Sequence, residues 1–439
     1  MKLRLKTSLA SILVFLFYSC QNPATISTPT ESSNVPSSEL ITVAKKTHYE
    51  RPKEILRKQS QLSIPYRTID HSKSITTFGF GSDNDQNQAQ PLWKLIYARS
   101  PQLFLMMGNI VDVSHKQHRP VIDQYIKLNE NPQYLALREA VPFLATWDDQ
   151  DFSQPYGGED NQHKLEARKI FGQYWTNLKN VISKDQEAIY YSRMIGEGKK
   201  RVQFILLDTR TNRSALNKNV QPELAAAPLT IPKPPPLPTT PILTSGDRTA
   251  TLKADPQGTA QALPELPKNS EKIVNEETAK MFSPNEDPKA HILSSDQWKW
   301  FETELKKPAE LRIIVSSIQV LADDHGFEKW GNYPQEKKKF LELLNKLNIH
   351  NAVILSGNRH FAAVSRIQLG KKSELFEVTS SALNTPTSDK TPEIDKTYVG
   401  STYLGINFGL AEIDWTKRLL EIQIIGEDYK SHLTQSIKF

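Results

Sequence analysis

The chain has 439 residues, enough for one large domain or two ordinary ones. With 38% apolar residues and seven Trp it can bury a sizeable core. The formal charge of +6 includes Lys2, Arg4 and Lys6 in a leader expected to be removed, which leaves about +3 (6 − 3). That balance is too small for a nucleic-acid footprint, so no nucleic-acid partner is expected.

The first twenty residues, MKLRLKTSLASILVFLFYSC, have a basic start and an apolar run from Leu9 to Tyr18. The run is too short to span a bilayer and reads as a secretory leader, residues 1–19. Cys20 is the only cysteine. Its place directly after the apolar run resembles a bacterial lipoprotein processing site, where the thiol is acylated and becomes residue one. An ordinary signal peptide with an incidental Cys is the alternative reading. Lipidation of Cys20 implies an exported protein held on a membrane through its lipid anchor, on a periplasmic or cell-surface face, without spanning it. Without a second Cys the exported domain has no internal disulfide. Residues 20–45, rich in Ser, Thr and Pro, cannot bury enough surface to order themselves and read as a tether.

From Ile75 the pattern changes. Strands are predicted at Ile75–Phe80, Leu103–Met107 and Phe143–Trp147. Helical patterns cover Gln90–Arg99, Pro120–Leu128, Tyr134–Glu139 and Leu165–Trp175. A hairpin is predicted for Ala188–Ile195 and Arg201–Leu207 across Gly196-Glu197-Gly198-Lys199. Residues 213–290 carry Pro232 and Pro234-Pro235-Pro236 and read as a Pro-rich insertion. It divides a domain whose first half is residues 46–212 and whose second half is 291–439. The second half alternates again: helix Trp298–Lys306, strand Leu311–Val315, helix Phe340–Leu347, strand Ala352–Leu355. Glu374–Thr379, Gly405–Ile413 and Leu419–Ile424 then read as strands. This pattern argues an α/β sandwich with mixed sheets flanked by helices.

Polar clusters sit at four strand tips: Ser82-Asp83-Asn84-Asp85, Gly108-Asn109, Asp148-Asp149-Gln150-Asp151 and Gly357-Asn358-Arg359-His360. Asp208-Arg210 and Asp323-Asp324-His325 are further candidates. Carboxylates and imidazoles at neighbouring strand ends can converge on one point, the geometry of a two-metal phosphoesterase. Each cluster alone is equally a set of turn formers and caps. A metal-free hydrolase using Ser82 or Ser356 lacks a nucleophile elbow and a convincing Ser–His pairing.

The stretches FGFGS, QPLWKLIYARSPQLFLMMGN, TWDDQDF, LLDTRTNRS, SSIQVLADDHG and ILSGNRHFA, in this order, resemble the PhoD-like alkaline phosphatases and phosphodiesterases. That family is a branch of the metallophosphatase-like α/β fold. The resemblance implies a metal-dependent phosphoric ester hydrolase with the metal ligands at the strand tips. The implied ligand positions here are Asp83, Asn109, Asp148, Asp149, Asn358 and His360. Gln150, Asp151, Asp323, His325 and Arg359 would wall the site.

Several of these positions depart from the family pattern. Where the family reads Gly-Ser-Cys, the third residue is Asp83. Its Gly-Asp-Asn-Ile-Tyr becomes Gly108-Asn109-Ile110-Val111, with Asp112 next. Asp-Asp-His-Asp becomes Asp148-Asp149-Gln150-Asp151, and Ser-Gly-Asp-Arg-His becomes Ser356-Gly357-Asn358-Arg359-His360. Two divalent cations held close together need bridging carboxylates to offset their repulsion. Amides at 109 and 358 remove that charge. Asp83, Asp148, Asp149, Asp151 and His360 remain as candidate ligands, a set sized for one divalent cation such as Ca²⁺. The alternatives are hydrogen bonding for Asn358, a salt bridge for Arg359, partial burial for His360 and loop capping for Asp148 and Asp149. Asp208 and Arg210 are expected to brace the sheet edge. The expected protein is a membrane-anchored lipoprotein with an eroded site that binds a phosphate-containing ligand or a protein partner. The rival is an active hydrolase with a rearranged site using Asp83, Asp112, Asp148 and Asp151.

Overall fold

The computed structural model describes residues 52–113, 120–218, 281–370 and 373–439. The expected leader, Cys20, the tether and the bulk of the Pro-rich insertion lie outside these residues.

The strands are β1 (Thr77–Gly81), β2 (Phe104–Met107), β3 (Phe143–Thr146), β4 (Tyr191–Ile195), β5 (Val202–Leu206), β6 (Asn217–Lys218) and β7 (Phe282–Ser283). They continue as β8 (Leu311–Ser316), β9 (Ala352–Ser356), β10 (Ala362–Leu369), β11 (Ser373–Ser380), β12 (Asn407–Asp414), β13 (Leu419–Gly426) and β14 (Ser431–Lys438). The helices are α1 (Pro52–Leu62), α2 (Leu92–Arg99), α3 (Val121–Leu128), α4 (Pro132–Ala140), α5 (Lys164–Tyr174), α6 (Ser295–Leu305) and α7 (Pro334–Lys346).

Two six-stranded sheets form the centre, in the orders β14-β13-β12-β1-β2-β3 and β10-β11-β9-β8-β5-β4. In the first, β1, β2 and β3 are parallel, and β12 to β14 are antiparallel additions. In the second, β5, β8, β9 and β11 are parallel, with β4 and β10 antiparallel at the edges. Both sheets are therefore mixed.

Period-two alternation assigns each inner side chain to one of two cores. Phe204, Val315, Val353 and Leu355 join Phe78, Phe80 and Leu105 in the larger core. Their neighbours Ile205, Ile314 and Ile354 point the other way, onto Trp298 and Phe301 of α6 and Phe340 of α7. Phe78 meets Phe204 edge to face at 5.4 Å, which ties one sheet to the other. On the outer side of the first sheet, Trp93 of α2 and Tyr134 of α4 pack on Phe104 and Phe143. Parallel strands covered on both faces read as continuous apolar runs, which is why LFLMM and ILS were legible as strands.

The expected elements are present with shifted ends. α7 begins at Pro334, earlier than the predicted Phe340, because proline is favoured in a first helical turn. Five elements escaped the sequence reading: α1, β6, β7, β10 and β14. β14 is an exposed edge strand whose side chains are mostly polar, so it shows little apolar alternation. The two ends of the expected insertion meet: β6 pairs antiparallel with β7. Among the described residues no helix is long and apolar enough to cross a membrane.

Candidate functional site

The C-terminal tips of β1, β2 and β3 meet those of β5, β8 and β9, one parallel block from each sheet. Gly357 N–H donates to Ser317 O (3.1 Å) and Asn84 N–H to Asn109 O (2.8 Å), tying neighbouring tips within each sheet. Side chains then bridge the sheets. Four tip residues take a left-handed backbone: Asp83 (φ 59°), Asn109 (φ 47°), Asn358 (φ 60°) and His360 (φ 58°). Asp, Asn and His are the side chains most often found in that region, which is still uncommon for any residue but glycine. Such strain concentrated at one edge marks a built site.

Asp83 lies at its centre and is buried. Its Oδ2 accepts from Ser82 Oγ and Ser381 Oγ, each at 2.6 Å, and from Asn358 N–H at 3.1 Å. Its Oδ1 accepts from Asn109 Nδ2 at 3.1 Å. One carboxylate thus takes four protein donors. Ser82 is engaged as a donor rather than poised as a nucleophile, and Ser356 Oγ pairs with Thr379 Oγ1 at 2.9 Å.

The orientation of Asn109 is fixed by its other end. Its Oδ1 accepts from Gln150 N–H at 3.0 Å, so reversing the amide would set a donor against a donor. The Nδ2 group must therefore face Asp83 and Asn358 Oδ1 (3.4 Å). Asn358 Nδ2 in turn reaches Glu328 Oε2 at 3.4 Å. The side chains of Asp83, Asn109, Asn358 and Glu328 form one continuous hydrogen-bonded chain.

Glu328 and Arg210 correct the sequence reading. Arg210 does not brace a sheet edge. It is fully buried at the site, with Nε and Nη2 each 2.5 Å from Asp148 Oδ1. The other side of its guanidinium meets Glu328 at 2.7 and 2.8 Å. Arg213 adds a contact to Glu328 at 3.3 Å, and Ser317 Oγ donates to Asp148 Oδ1 at 2.6 Å. Burial penalises the Arg210 charge, but Asp148, Glu328 and Asp149 outweigh it and raise its pKa. Burial pushes Asp148 upward, and Arg210 opposes that push. Asp208 does brace its own turn, accepting from Ile189 N–H, Arg210 N–H and Thr211 N–H.

Asp149 caps its loop through Tyr156 N–H at 3.1 Å. Asp151 accepts from Ile110, Val111 and Asp148 N–H and from the Tyr125 hydroxyl, so it staples the tips of β2 and β3 together. Burial lifts its pKa to about 7 against the pull of these donors. Gln150 Oε1 accepts from Val113 N–H at 3.3 Å. Arg359 pairs with Glu393 and lies over the rings of Phe327 and Phe361. His360, read as a candidate ligand with partial burial as the alternative, has a left-handed backbone and a side chain that is 48% exposed. Its Nδ1 faces Thr385 O at 2.7 Å, and its Nε2 is 3.9 Å from Asp83 Oδ1. Asp323 pairs with Lys337 at 2.7 Å. His325 is buried near Arg359, and burial first, then Arg359, Lys329 and Lys337, hold its pKa well below the ordinary imidazole value.

This donor set does not fit a pair of divalent cations. Asn109 presents N–H groups to the point where a bridging ligand would sit, and an N–H repels a cation. The oxygens of Asp83 already accept four donors, and one oxygen of Asp148 is bound by a guanidinium. Two buried oxygens, Asp148 Oδ2 and Asp149 Oδ1, have no protein partner. Among the described residues, no three His, Cys, Asp or Glu side chains are grouped to hold one metal ion. Glu328, Arg213, Ser317 and Ser381 were missed because each lies in a loop or just past a strand end, where no periodic signal picks out a site residue.

The comparisons with known proteins bear on the fold. The solved structure of PhoD matches with a TM-score of 0.55 at 12% identity, over 85% of this chain and 69% of that one. A dimetal phosphatase from Danio rerio matches with a TM-score of 0.46 at 12% identity, over 84% of this chain and 100% of that one. No curated protein matches. The family described as PhoD-like phosphatase matches residues 112–404, more than half of the chain. The chain belongs to the PhoD-like phosphatase family.

Proposed function

We propose that this protein is a PhoD-like lipoprotein whose strand-tip site no longer supports metal-dependent hydrolysis, and that it acts by binding a phosphate-containing ligand or a protein partner. The observation that carries this reading is the fixed amide of Asn109. Its carbonyl is held by Gln150 N–H, which leaves its N–H groups facing Asp83. Hydrogen bonds among protein groups fill the place of metal–ligand bonds. In this reading, acylated Cys20 attaches the protein to a membrane.

The test is the metal content of the purified full chain, together with hydrolysis of generic phosphomonoesters and diesters. Substoichiometric metal and no turnover are expected. Stoichiometric metal, with turnover abolished by Asp148→Ala, would overturn the proposal in favour of an active hydrolase with a rearranged site. The unpartnered Asp148 Oδ2 and Asp149 Oδ1 are what favour that rival. A complementary variant combines Asn109→Asp, Gln150→His and Asn358→Asp. In chelator it should melt below the parent, because two carboxylates then face each other at positions 83 and 109. Added Mn²⁺ should raise its melting temperature and leave the parent unchanged. Anchoring is read by incorporation of labelled palmitate, expected in the parent and absent in Cys20→Ser.

A further inference from the structure

Apart from the strand tips, the fold carries a cavity of about 460 Å³ beside α5 and the loop that follows it. Its lining shares no residue with the strand-tip site, although Phe171 of its floor packs on Trp147, the neighbour of Asp148, at 5.4 Å. Asn177 Nδ2, in that loop, donates to Phe143 O at the start of β3 (2.9 Å), whereas Asp148 lies beyond its end. The volume falls in the range of small-molecule pockets.

The floor is apolar, made by Phe171, Trp175, Leu178 and Ile182. The rim is cationic, with Arg168, Lys169, Lys179 and Lys184. Of the two acids there, Glu187 is taken by Lys164 at 2.9 Å. Among the described residues no carboxylate pairs with Lys169, Lys179 or Lys184. Arg168 donates only a long bond, 3.4 Å, to Ser183 O, and its Nε is buried without a partner. Burial lowers its pKa.

A second feature is Gly172, in the last turn of α5 and lining the cavity. Glycine there weakens the helix relative to alanine. A Cβ at this position would meet nothing closer than Arg168 Nη1, at 3.4 Å. Packing does not demand the glycine, but its lack of a side chain leaves the cavity open.

We propose that this cavity binds a small, soluble anionic amphiphile, an acyl or aromatic body carrying a carboxylate or phosphate. The body would lie on Phe171 and Trp175, and the head group would meet Arg168 and Lys179. This site goes beyond the strand-tip reading and does not depend on it.

Isothermal titration of the full chain with decanoate, decanol and acetate tests the proposal. Decanoate should bind saturably and at least about tenfold more tightly than decanol or acetate. Arg168→Gln with Lys179→Glu should weaken decanoate about tenfold, and Gly172→Leu should abolish binding by filling the cavity. Circular dichroism checks that each variant keeps its fold, and the double change at Arg168 and Lys179 gives the answer if Gly172→Leu does not fold. Absence of saturable binding, decanol binding as tightly as decanoate, or decanoate binding unmoved in folded variants would overturn the proposal.

Discussion

Asn109 differs from an aspartate by a single amide nitrogen, yet that nitrogen decides what the cup of strand tips accepts. An aspartate would add charge for a cation. The amide donates to Asp83 instead. Arg210 does similar work on the other side, neutralising Asp148 and Glu328 in a space where water cannot. Replacing Arg210 with Ala leaves two buried carboxylates uncompensated except for Arg213, a loss expected to cost about 3–5 kcal/mol. Arg210→Lys keeps a charge but loses the planar fork, so it should cost less. Urea unfolding of the two variants checks both the size and the order. At this scale the substitutions Asn109, Gln150 and Asn358 were legible from the sequence. The partner of Asp148 was not. Arg210 comes 62 residues later, and a one-dimensional pattern does not tell that both arginines of LLDTRTNR turn inward or which of them meets Asp148.

At the scale of elements, the site depends on how closely strands of different sheets approach. The tip of β9 comes so near the tip of β1 that a Cβ on Gly357 would lie 2.3 Å from Ser82 Oγ and 2.8 Å from Ser82 Cβ. Gly357→Ala must push the two tips apart or displace Ser82 from Asp83. A loss of about 1–3 kcal/mol is expected, as for other overpacked interiors, and thermal melting measures it. The central strands were legible because each is a short apolar run ended by Gly, Asp or Asn. β10 was not, because AAVSRIQL follows the polar cluster at residues 358–360 and has no strict alternation of its own. The order of strands across each sheet was also out of reach, since periodicity reports that a strand exists and not which strand lies beside it.

For the molecule as a whole, buried ionisable groups set how stability changes with pH. The pKa of His325 is held well below 6.5 in the fold, by burial first and then by neighbouring cations. An unfolded chain takes up a proton below about pH 6.5, while the native imidazole resists. Through His325 the unfolded state therefore binds more protons in that window, which works against the fold as pH falls, by at most about 1.4 kcal/mol per pH unit. Asp151, whose pKa burial lifts to about 7, favours the fold as pH falls through the same window. His325→Gln should raise the melting temperature at about pH 5 relative to about pH 7 compared with the parent, because a neutral amide leaves no proton for the unfolded chain to take up there. Equal slopes in parent and variant would count against the buried-imidazole account.

β1, at residues 77–81, lies between β2 and a strand that begins at residue 407. During synthesis its second edge therefore stays raw while some three hundred further residues are made. A nascent chain stalled before β12 exposes an unpaired apolar ribbon, Phe78 to Gly81, ready to template pairing with its neighbours. Holding the polypeptide open until its distal strands arrive is then a task for whatever escorts it.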